Sequence, residues 1–364
     1  MTNNKPRVIA FYLPQFHPTP HNNEWYGKGF TEWTNVAKAK KLFWGHEQPH
    51  IPADLGFYDL RLPEVREEQA RLAKDAGIEG FCYYHYWFAP NEFELELPFN
   101  EVLKSGKPDF PFMLCWANET WQKKFWNIDG SIEKYDLRTQ TYGGIKDYTQ
   151  HFYDVLPAFK DKRYIKIDGK PAFMIYKALQ IPDLQKFIEL WQKLAKENGL
   201  PGIFFIGQSI ITEQEYEQTL KSGIDAMNSV RLYENYNSKP FIFRALYKCY
   251  RLLFIRPVIK KYKKIYRTFI NELDYKDNVF PTIIPNWDHT PRSGRGGYVM
   301  TGATPKYFAK HIKQVFSVLK QKKTDKQIVF IKSWNEWGEG NYLEPDLKYG
   351  RKHLEALKEE YKSY

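Results

Sequence analysis

Short apolar runs rich in β-branched and aromatic residues recur along the 364-residue chain, and segments with apolar residues spaced three and four apart lie between them. The first pattern is typical of buried strands and the second of amphipathic helices. Eight runs are predicted as strands, at residues 8–15, 80–88, 112–119, 172–177, 203–209, 226–230, 282–288 and 328–334. The clearest helices are predicted at residues 63–77, 183–199 and 304–320.

Eight buried strands that alternate with helices predict an α/β protein, a (β/α)8 TIM barrel with insertions in its loops. Barrels of this kind reach such lengths as one domain, so we expect a single domain over residues 1–364. A doubly wound open sheet is the alternative. The sequence has neither a GxGxxG fingerprint nor a P-loop in its favour, although that fold does not require them.

The predicted strands end in aromatic, amide and acidic residues, and in a barrel all of these ends lie on the face that carries the active site. Aromatic residues make up 17% of the chain, and their flat apolar faces suit the faces of sugar rings. The residues predicted to line this face and bind substrate are His17, Tyr84, His85, Trp87, Trp116, Asn118, Glu119, Trp121, Tyr176, Gln208, Asn286, Trp287, Trp334 and Asn335.

Three further residues in loops after predicted strands are candidates for substrate contact. Glu32 and Trp33 belong to the stretch GFTEW, in a loop rich in glycine and aromatic residues after the first strand. Arg292, just after the seventh strand, would suit an anionic sugar or a phosphate. A solvated surface position explains Arg292 equally well. Glu344 lies beyond the last strand and is predicted to cap the loop there.

The stretch SWNEWGEG at residues 333–340 directly follows the apolar run of the last strand. It places Glu336 and Glu339 three residues apart, so a helical turn would bring both carboxyl groups to one side. Glycosidases use such a pair, one acid to protonate the leaving oxygen and one as base or nucleophile. Two solvated glutamates would explain an isolated ExxE, but the strand and the two flanking indoles favour a catalytic pair.

Several long motifs resemble those of WbsX-type proteins, which carry a domain similar to glycoside hydrolase family 99. The stretches are FYLPQFHP (11–18), WYGKGFTEWTNV (25–36), FCYYHYWF (81–88), MLCWANETW (113–121) and SWNEWGEG (333–340). The resemblance covers essentially the whole chain. It implies a (β/α)8 barrel and an enzyme that cleaves α-mannosidic bonds with retention and without a metal or other cofactor.

The same resemblance assigns the roles of the two glutamates. Glu336 would be the base that takes the proton from the sugar 2-hydroxyl, whose oxygen then attacks C1 and forms an anhydro-sugar. Glu339 would protonate the leaving oxygen and later activate the incoming hydroxyl. WbsX proteins are associated with O-antigen, capsule and lipopolysaccharide synthesis, so the implied partner is an oligosaccharide or a lipid-linked glycan of the bacterial cell surface.

Two other functions stay open at the level of sequence. A metal-independent glycosyltransferase fits the same residues, whereas the absence of a DxD triplet disfavours the metal-dependent kind. A non-catalytic carbohydrate-binding barrel would have no need for both Glu336 and Glu339. Nucleic-acid binding is suggested only by the net charge of +11, and no nucleic-acid module is recognisable, so we expect no nucleic-acid partner.

Three cysteines, Cys82, Cys115 and Cys249, are far apart and odd in number, which predicts reduced thiols. No Cys/His spacing predicts a metal site. The sequence begins without the pattern of a secretory signal, and no apolar run reaches membrane-spanning length. From these features we expect a cytoplasmic protein, with the inner membrane as a place of peripheral contact.

The positive charge is concentrated in residues 239–267, which hold ten Lys or Arg and no Asp or Glu. Apolar residues at spacings of three and four interleave with these cations up to Pro257. We therefore predict a basic amphipathic helical insertion at residues 238–277, between the sixth and seventh strands. Such helices favour anionic membrane surfaces. A helical hairpin packed on the barrel, with solvated lysines, is the alternative.

Overall fold

The computed structural model describes residues 5–126, 132–209, 212–232, 240–243, 245–246 and 257–364. All eight predicted strands are present, although the first, third, seventh and eighth end three or more residues before the predicted end. They span Arg7–Tyr12, Gly80–Ala89, Phe112–Trp116, Lys170–Ile175, Phe204–Ser209, Ala226–Ser229, Thr282–Ile283 and Ile328–Ile331. Short additional strands lie at Glu92–Glu94, Trp121–Trp126, Ile132–Arg138, Lys166–Ile167, Val258–Lys261, Val279–Phe280, Tyr298–Thr301, Asn335–Glu336 and Asn341–Tyr342.

The three predicted helices are confirmed, because their sequences carry clear start and stop signals. Pro63 and Pro305 occupy the first helical turn, and Gly77 and Gly199 follow two of the helices with positive φ angles of 91° and 80°. The α-helices are Pro20–Tyr26, Glu32–Ala37, Pro63–Asp75, Leu97–Ser105, Ile145–Lys160, Leu184–Glu197, Glu213–Lys221, Tyr262–Ile265, Thr290–Ser293, Pro305–Leu319 and Lys352–Lys362. Single 3-10 turns lie at Ala178–Gln180, Tyr266–Phe269, Glu272–Tyr275, Gly294–Gly296, Thr324–Lys326 and Trp337–Glu339.

Contacts divide the chain into two compact units. The first comprises Met1–Gly80 and Val230–Tyr364. In it the first strand pairs in parallel with the last, with Ala10 opposite Ile331, and Thr282–Ile283 pairs with the other edge of the last strand. A first strand that lies beside the last is the arrangement that closes a barrel.

The second unit, Phe81–Ser229, holds the five strands that follow along the chain. Each pairs in parallel with the next, from the strand that begins at Gly80 to Ala226–Ser229. A doubly wound sheet would instead reverse its strand order at a switch point. The fold is therefore the predicted (β/α)8 barrel, and the open-sheet alternative is wrong. That residues 1–364 form a single domain stays a prediction.

Each unit has its own apolar core. In the first unit the paired strands bury Val8, Ile9 and Phe330 completely. In the second, Trp191 packs against the rings of Phe173 and Phe187, with centroids 4.8 and 4.7 Å apart. Cys82 and Cys115 are buried free thiols, as predicted, and Cys249 lies outside the described residues.

The basic segment differs in part from the predicted helical insertion. Residues 241–243 and 245–246 are helical, whereas Val258–Lys261 forms a strand that pairs in parallel with Tyr298–Thr301. The strand is followed by two helical turns whose apolar residues are buried in one cluster, because their spacing points them all inward. The buried residues are Tyr262, Ile265, Tyr266 and Phe269, packed with Ile284 and Trp287. Residues 238–239, 244 and 247–256 of the prediction lie outside the described residues.

No helix within the described ranges combines the length and the apolar character needed to cross a bilayer.

Candidate active site

The stretch after the last strand folds into a small hairpin. Asn335–Glu336 pairs antiparallel with Asn341–Tyr342, and one 3-10 turn, Trp337–Glu339, joins them. Glu336 and Glu339 therefore stand at the two ends of a single turn. The Asn335 amide fixes the hairpin to the loop after the first strand, because it accepts from the Leu13 N–H at 2.7 Å and donates to the Leu13 carbonyl at 3.0 Å.

The two indoles of the stretch, Trp334 and Trp337, are buried beside this turn. Trp334 is completely buried, and Trp337 is 1% exposed and stacks on Tyr342 with ring centroids 3.7 Å apart. Trp337 also donates its Nε1–H to Glu344 at 2.6 Å. Neither ring leaves a face for a sugar in this structure. Trp334 packs within the protein in this structure, and its contact with substrate stays a prediction.

Glu344 is a buried acid directly behind the turn. Besides Trp337, the Tyr58 hydroxyl donates to it at 2.9 Å and the Gln69 amide at 2.7 Å. Burial raises the pKa of Glu344 to about 7, although these hydrogen bonds act in the opposite direction. The predicted loop-capping role fits this geometry, because Glu344 bonds the indole at the centre of the turn.

The two glycines of the stretch leave room for neighbouring acids. A Cβ on Gly338 would lie 1.8 Å from Glu32 Oε1. Gly340 has a φ of 53°, and a Cβ there would meet the Asp288 backbone at 2.8 Å. The absence of side chains thus allows Glu32 and Asp288 to reach the turn from other parts of the chain.

Glu339 lies among charged groups. Its carboxylate accepts from Arg292 Nη1 at 2.5 Å, and His289 Nε2 is 3.7 Å away. Burial, together with the positive charge of Arg292, lowers the pKa of His289 to about 4, so this imidazole is neutral at neutral pH. Glu339 keeps 17% of its side-chain surface exposed, so it is accessible to a ligand.

Glu336 is buried deeper, with 5% of its side chain exposed. Lys332 Nζ lies 3.7 Å from the Glu336 carboxylate, and the Glu336 backbone N–H donates to Ser333 Oγ at 3.1 Å. The negative charges of both Glu336 and Glu339 help to raise the pKa of Arg292, whereas burial lowers it. Both predicted catalytic acids therefore lie within electrostatic range of the same guanidinium.

Asp288, in the segment after the seventh strand, supports the turn. It accepts from His46 Nε2 at 2.8 Å, from Gln48 at 2.7 Å and from Thr290 Oγ1 at 2.6 Å. His46 Nδ1 accepts a backbone N–H, which leaves the proton of the neutral ring on Nε2. Burial would raise the pKa of Asp288, but these hydrogen bonds hold it below its usual value. Its backbone N–H donates to the Glu339 carbonyl at 2.8 Å.

Of the other predicted residues in the first unit, most are buried and bonded internally. His17 is 2% exposed, and Trp33 is 8% exposed and donates to the Tyr58 carbonyl at 2.7 Å. Asn286 accepts from the Tyr342 N–H at 3.0 Å. Asn286 and the buried Trp287 line a cavity of about 60 Å³ beside Gly340. These residues support the site, and their contact with substrate stays a prediction.

In the second unit, several predicted site residues form internal contacts. Trp87 and Trp116 are 1% and 0% exposed, so no ring face remains for a sugar, and Trp116 donates to the Trp87 carbonyl at 2.8 Å. Asn118 is buried and bonds both backbone groups of Lys177. The sequence predicted substrate contact for Trp87 and Trp116 because aromatic residues are common both at strand ends that line a site and in protein cores.

Histidine and amide side chains in this unit are also paired. His85 Nε2 lies 3.0 Å from His151 Nε2, and burial lowers the pKa of His85 to about 3. Gln208 donates to Asn228 Oδ1 at 3.0 Å. Tyr84 is buried, with 7% of its surface exposed. Glu119, Trp121 and Tyr176 keep exposed surface.

Two residues beside Glu336 and Glu339 were not predicted. His289 follows the seventh strand, one residue beyond the predicted run, and Lys332 lies four residues before Glu336. Their positions at strand ends were the available signal. Within the described ranges, no group of three or more His, Cys, Asp or Glu residues is arranged to hold a metal ion. The absence of a metal from the reaction stays a prediction.

A family model described as glycosyltransferase WbsX matches residues 8–357 of the chain. Two uncharacterised WxcX proteins, from two strains of Xanthomonas campestris pv. campestris, are each 32% identical to it over 357 residues. The aligned region is 97% of this chain and 49% of each relative. The chain thus spans about half the length of the curated relatives it matches.

Two solved structures are similar in fold. One is the glycoside hydrolase family 99 endo-α-mannosidase of Bacteroides thetaiotaomicron in complex with bis-tris-propane. It has a TM-score of 0.60 and 15% identity, and the match covers 98% of this chain and 97% of that one. The other is a glycoside hydrolase-like protein, with a TM-score of 0.59, 16% identity and coverage of 99% and 95%. At these identities the similarity shows the fold.

Gly338→Ala is expected to lower the free energy of unfolding by about 1–3 kcal/mol, because its Cβ overlaps the buried Glu32 carboxylate. Urea unfolding measures this change. In a Glu32→Ala background the overlap is absent, so Gly338→Ala should then cost much less. An equal cost in both backgrounds would contradict this explanation.

Glu344→Gln is expected to gain stability relative to the wild type as pH rises. The wild-type carboxyl has a pKa near 4.5 in the unfolded chain and near 7 in the folded protein. Its contribution to the free energy of unfolding therefore decreases as pH rises from 4.5 to 7 and is constant above pH 7. The difference between variant and wild type should therefore increase by up to about 3 kcal/mol from pH 4.5 to 8. Urea unfolding across this range measures it, and a constant difference would refute the raised pKa.

Proposed function

Because this chain belongs to the glycosyltransferase WbsX family, we propose that it acts on glycosidic bonds of a bacterial cell-surface polysaccharide or of its lipid-linked precursor. The observation that carries this proposal is the pair Glu336 and Glu339 at the two ends of one turn after the last strand. One carboxylate is accessible and the other is largely buried, which gives two acids two different environments.

The proposed chemistry retains the configuration at C1 and uses both acids in turn. Glu336 takes the proton of the sugar 2-hydroxyl, and that oxygen attacks C1 while the bond from C1 to the leaving oxygen breaks. Glu339 gives its proton to the leaving oxygen. Glu339 then takes a proton from water or an acceptor hydroxyl, whose oxygen attacks C1 while the bond from C1 to the 2-oxygen breaks, and the 2-oxygen recovers its proton from Glu336.

The proposed linkage is of the α-mannoside type. It rests on the motif shared with glycoside hydrolase family 99, and it is supported by the similar fold of the endo-α-mannosidase. Water as the second reactant would make the protein a hydrolase, and a sugar hydroxyl would make it a transglycosylase or transferase. The residues described above serve both reactions equally.

Incubation with oligosaccharides from the native surface polysaccharide tests the function directly. Products are identified by mass. New reducing ends from an isolated glycan would indicate hydrolysis, and elongation only with an activated sugar donor would indicate transfer. If neither occurs and the glycan is bound without change, a non-catalytic binding barrel replaces the enzyme.

Glu339→Gln is expected to lose most activity on substrates with poor leaving groups, because these need a proton as the bond breaks. Good leaving groups should be partly spared. Glu336→Gln should be slow on both kinds, since the 2-hydroxyl must lose its proton in either case. Rates on aryl glycosides of differing leaving-group pKa measure the contrast, and wild-type rates in either variant would refute these roles.

We also propose that the basic segment contacts an anionic membrane surface, where a lipid-linked glycan would be found. The described helical residues expose their apolar side chains, with Phe241 74%, Ile242 68%, Phe243 63% and Leu246 63% exposed. Ten cations and no acid lie between residues 239 and 267, so the surrounding charge matches anionic lipid. Each well-placed cation contributes about 1 kcal/mol to such contact.

Binding is expected to vesicles that contain phosphatidylserine and not to pure phosphatidylcholine vesicles, with weakening as salt rises. Phe241→Ser/Phe243→Ser should reduce it, whereas Ile145→Ser, which removes an equally exposed apolar residue elsewhere, should not. Co-sedimentation measures both. Substitution is preferred to deletion because Tyr262 and Tyr266 belong to the core. Unchanged binding by the double variant, or no binding at low salt, would contradict docking by this segment.

A further inference from the structure

A third glutamate lies against the catalytic turn and takes no part in the proposed chemistry. Glu32 is the first residue of the helix Glu32–Ala37, and it is 2% exposed. Its Oε1 accepts from the Asn35 amide at 3.1 Å, and its backbone N–H donates to the Gln15 carbonyl at 3.1 Å. A buried carboxylate needs a cation and hydrogen bonds to offset its loss of hydration.

Arg292 supplies that cation with a rigid two-pronged contact. Its Nε donates to Glu32 Oε1 at 2.9 Å and its Nη2 donates to Glu32 Oε2 at 3.1 Å. Burial alone would raise the pKa of Glu32, but the charge and hydrogen bonds of Arg292 hold it below its usual value. Glu32 is therefore a carboxylate, and its plane fixes the plane of the guanidinium.

The third nitrogen of the guanidinium, Nη1, reaches Glu339 at 2.5 Å. A guanidinium held on two prongs cannot rotate freely, so the direction of this remaining contact is set by Glu32. Gly338 completes the arrangement, because a side chain there would displace Glu32 Oε1. The path from Glu32 through Arg292 to Glu339 is thus built from three separate parts of the chain.

We propose that Glu32 and Arg292 are a positioning pair for Glu339. Arg292 holds the Glu339 carboxylate in one orientation and balances its charge, and Glu32 keeps Arg292 in place. This inference rests on the proposed catalytic role of Glu339. It differs from the sequence-based expectation that Arg292 and Glu32 contact the substrate. In this structure all three guanidinium nitrogens of Arg292 donate hydrogen bonds to protein carboxylates.

The two roles predict different kinetics. A positioning pair affects the chemical step, so its loss should lower kcat and leave KM nearly unchanged. An arginine that binds an anionic substrate group should instead raise KM when it is removed. Glu32 would then behave independently of Arg292, since it would not act through it.

The variants are Arg292→Gln, Arg292→Lys, Glu32→Gln and the double variant Glu32→Gln/Arg292→Gln. Arg71→Gln is the matched control. Arg71 bonds Glu68 with two prongs at 2.7 Å and Asp75 with a third nitrogen at 3.0 Å, but it is half-exposed on a surface helix. Arg71→Gln therefore removes the same charge and the same bonding pattern at a position away from the site.

Arg292→Gln and Glu32→Gln are each expected to lower kcat by about 100-fold, the loss typical of a misplaced catalytic group. The double variant should be no worse than Arg292→Gln, because the two residues act as one unit. Arg292→Lys should restore part of the rate, and guanidinium ions added to Arg292→Gln should restore part of it as well. Arg71→Gln should keep the wild-type rate.

A second readout does not depend on activity. Glutamate labelled with carbon-13 at the side-chain carboxyl gives a resonance for Glu339, identified by its loss in Glu339→Gln. That resonance is expected to shift in Arg292→Gln and in Glu32→Gln, and not in Arg71→Gln. Shifts without turnover by the wild type would support the positioning contact and refute the proposed function.

Three outcomes would overturn the positioning role. These are an unshifted Glu339 resonance in both variants, a rise in KM at constant kcat for Arg292→Gln, or multiplied losses in the double variant. Thermal unfolding shows whether each variant is folded. If Arg292→Gln does not fold, Arg292→Lys carries the same kinetic and resonance tests, with smaller expected changes.

Discussion

The parallel pairing of the first strand with the last is the constraint on which the candidate site depends. It sets Arg7 opposite Ile328 and Ala10 opposite Ile331. With that register fixed, the Trp334 N–H donates to the Phe11 carbonyl and the Asn335 amide bonds both backbone groups of Leu13. A shift of one residue would turn every side chain of the shifted strand to the other face and break all of these bonds.

A second requirement follows from burial. The described site contains four acids that are nearly inaccessible, and each has a different means of compensation. Glu32 has an arginine, Glu336 a nearby lysine, and Asp288 four hydrogen-bond donors. Glu344 accepts from Trp337, Tyr58 and Gln69, yet burial raises its pKa to about 7, whereas the donors around Asp288 hold the pKa of that acid below its usual value. The partners of each acid, and not burial alone, thus decide the direction in which its pKa moves.

The sequence was sufficient to place the eight strands, because short β-branched and aromatic runs that alternate with helical patterns favour strands. It also predicted Glu336 and Glu339 as a catalytic pair from their spacing and their position after a strand, and that role is a proposal. It could not identify the contact of Arg292 with Glu32, since 260 residues separate them and only the fold brings them together. The buried indoles Trp87, Trp116 and Trp334 were predicted as sugar platforms because core and cleft aromatic residues look alike in sequence.

The pairing of the first strand with the last also has a consequence for synthesis on the ribosome. Leu13 and its partner Asn335 are 322 residues apart, so at about 5–20 residues per second roughly 15–60 s pass before the second appears. The unit Phe81–Ser229 is continuous in sequence and can form its sheet during that time. The first strand, by contrast, waits with an unpaired edge until the last strand emerges. Nascent chains of this protein are therefore expected to need protection of residues 7–12, and to acquire a complete site only after the last strand has been synthesised.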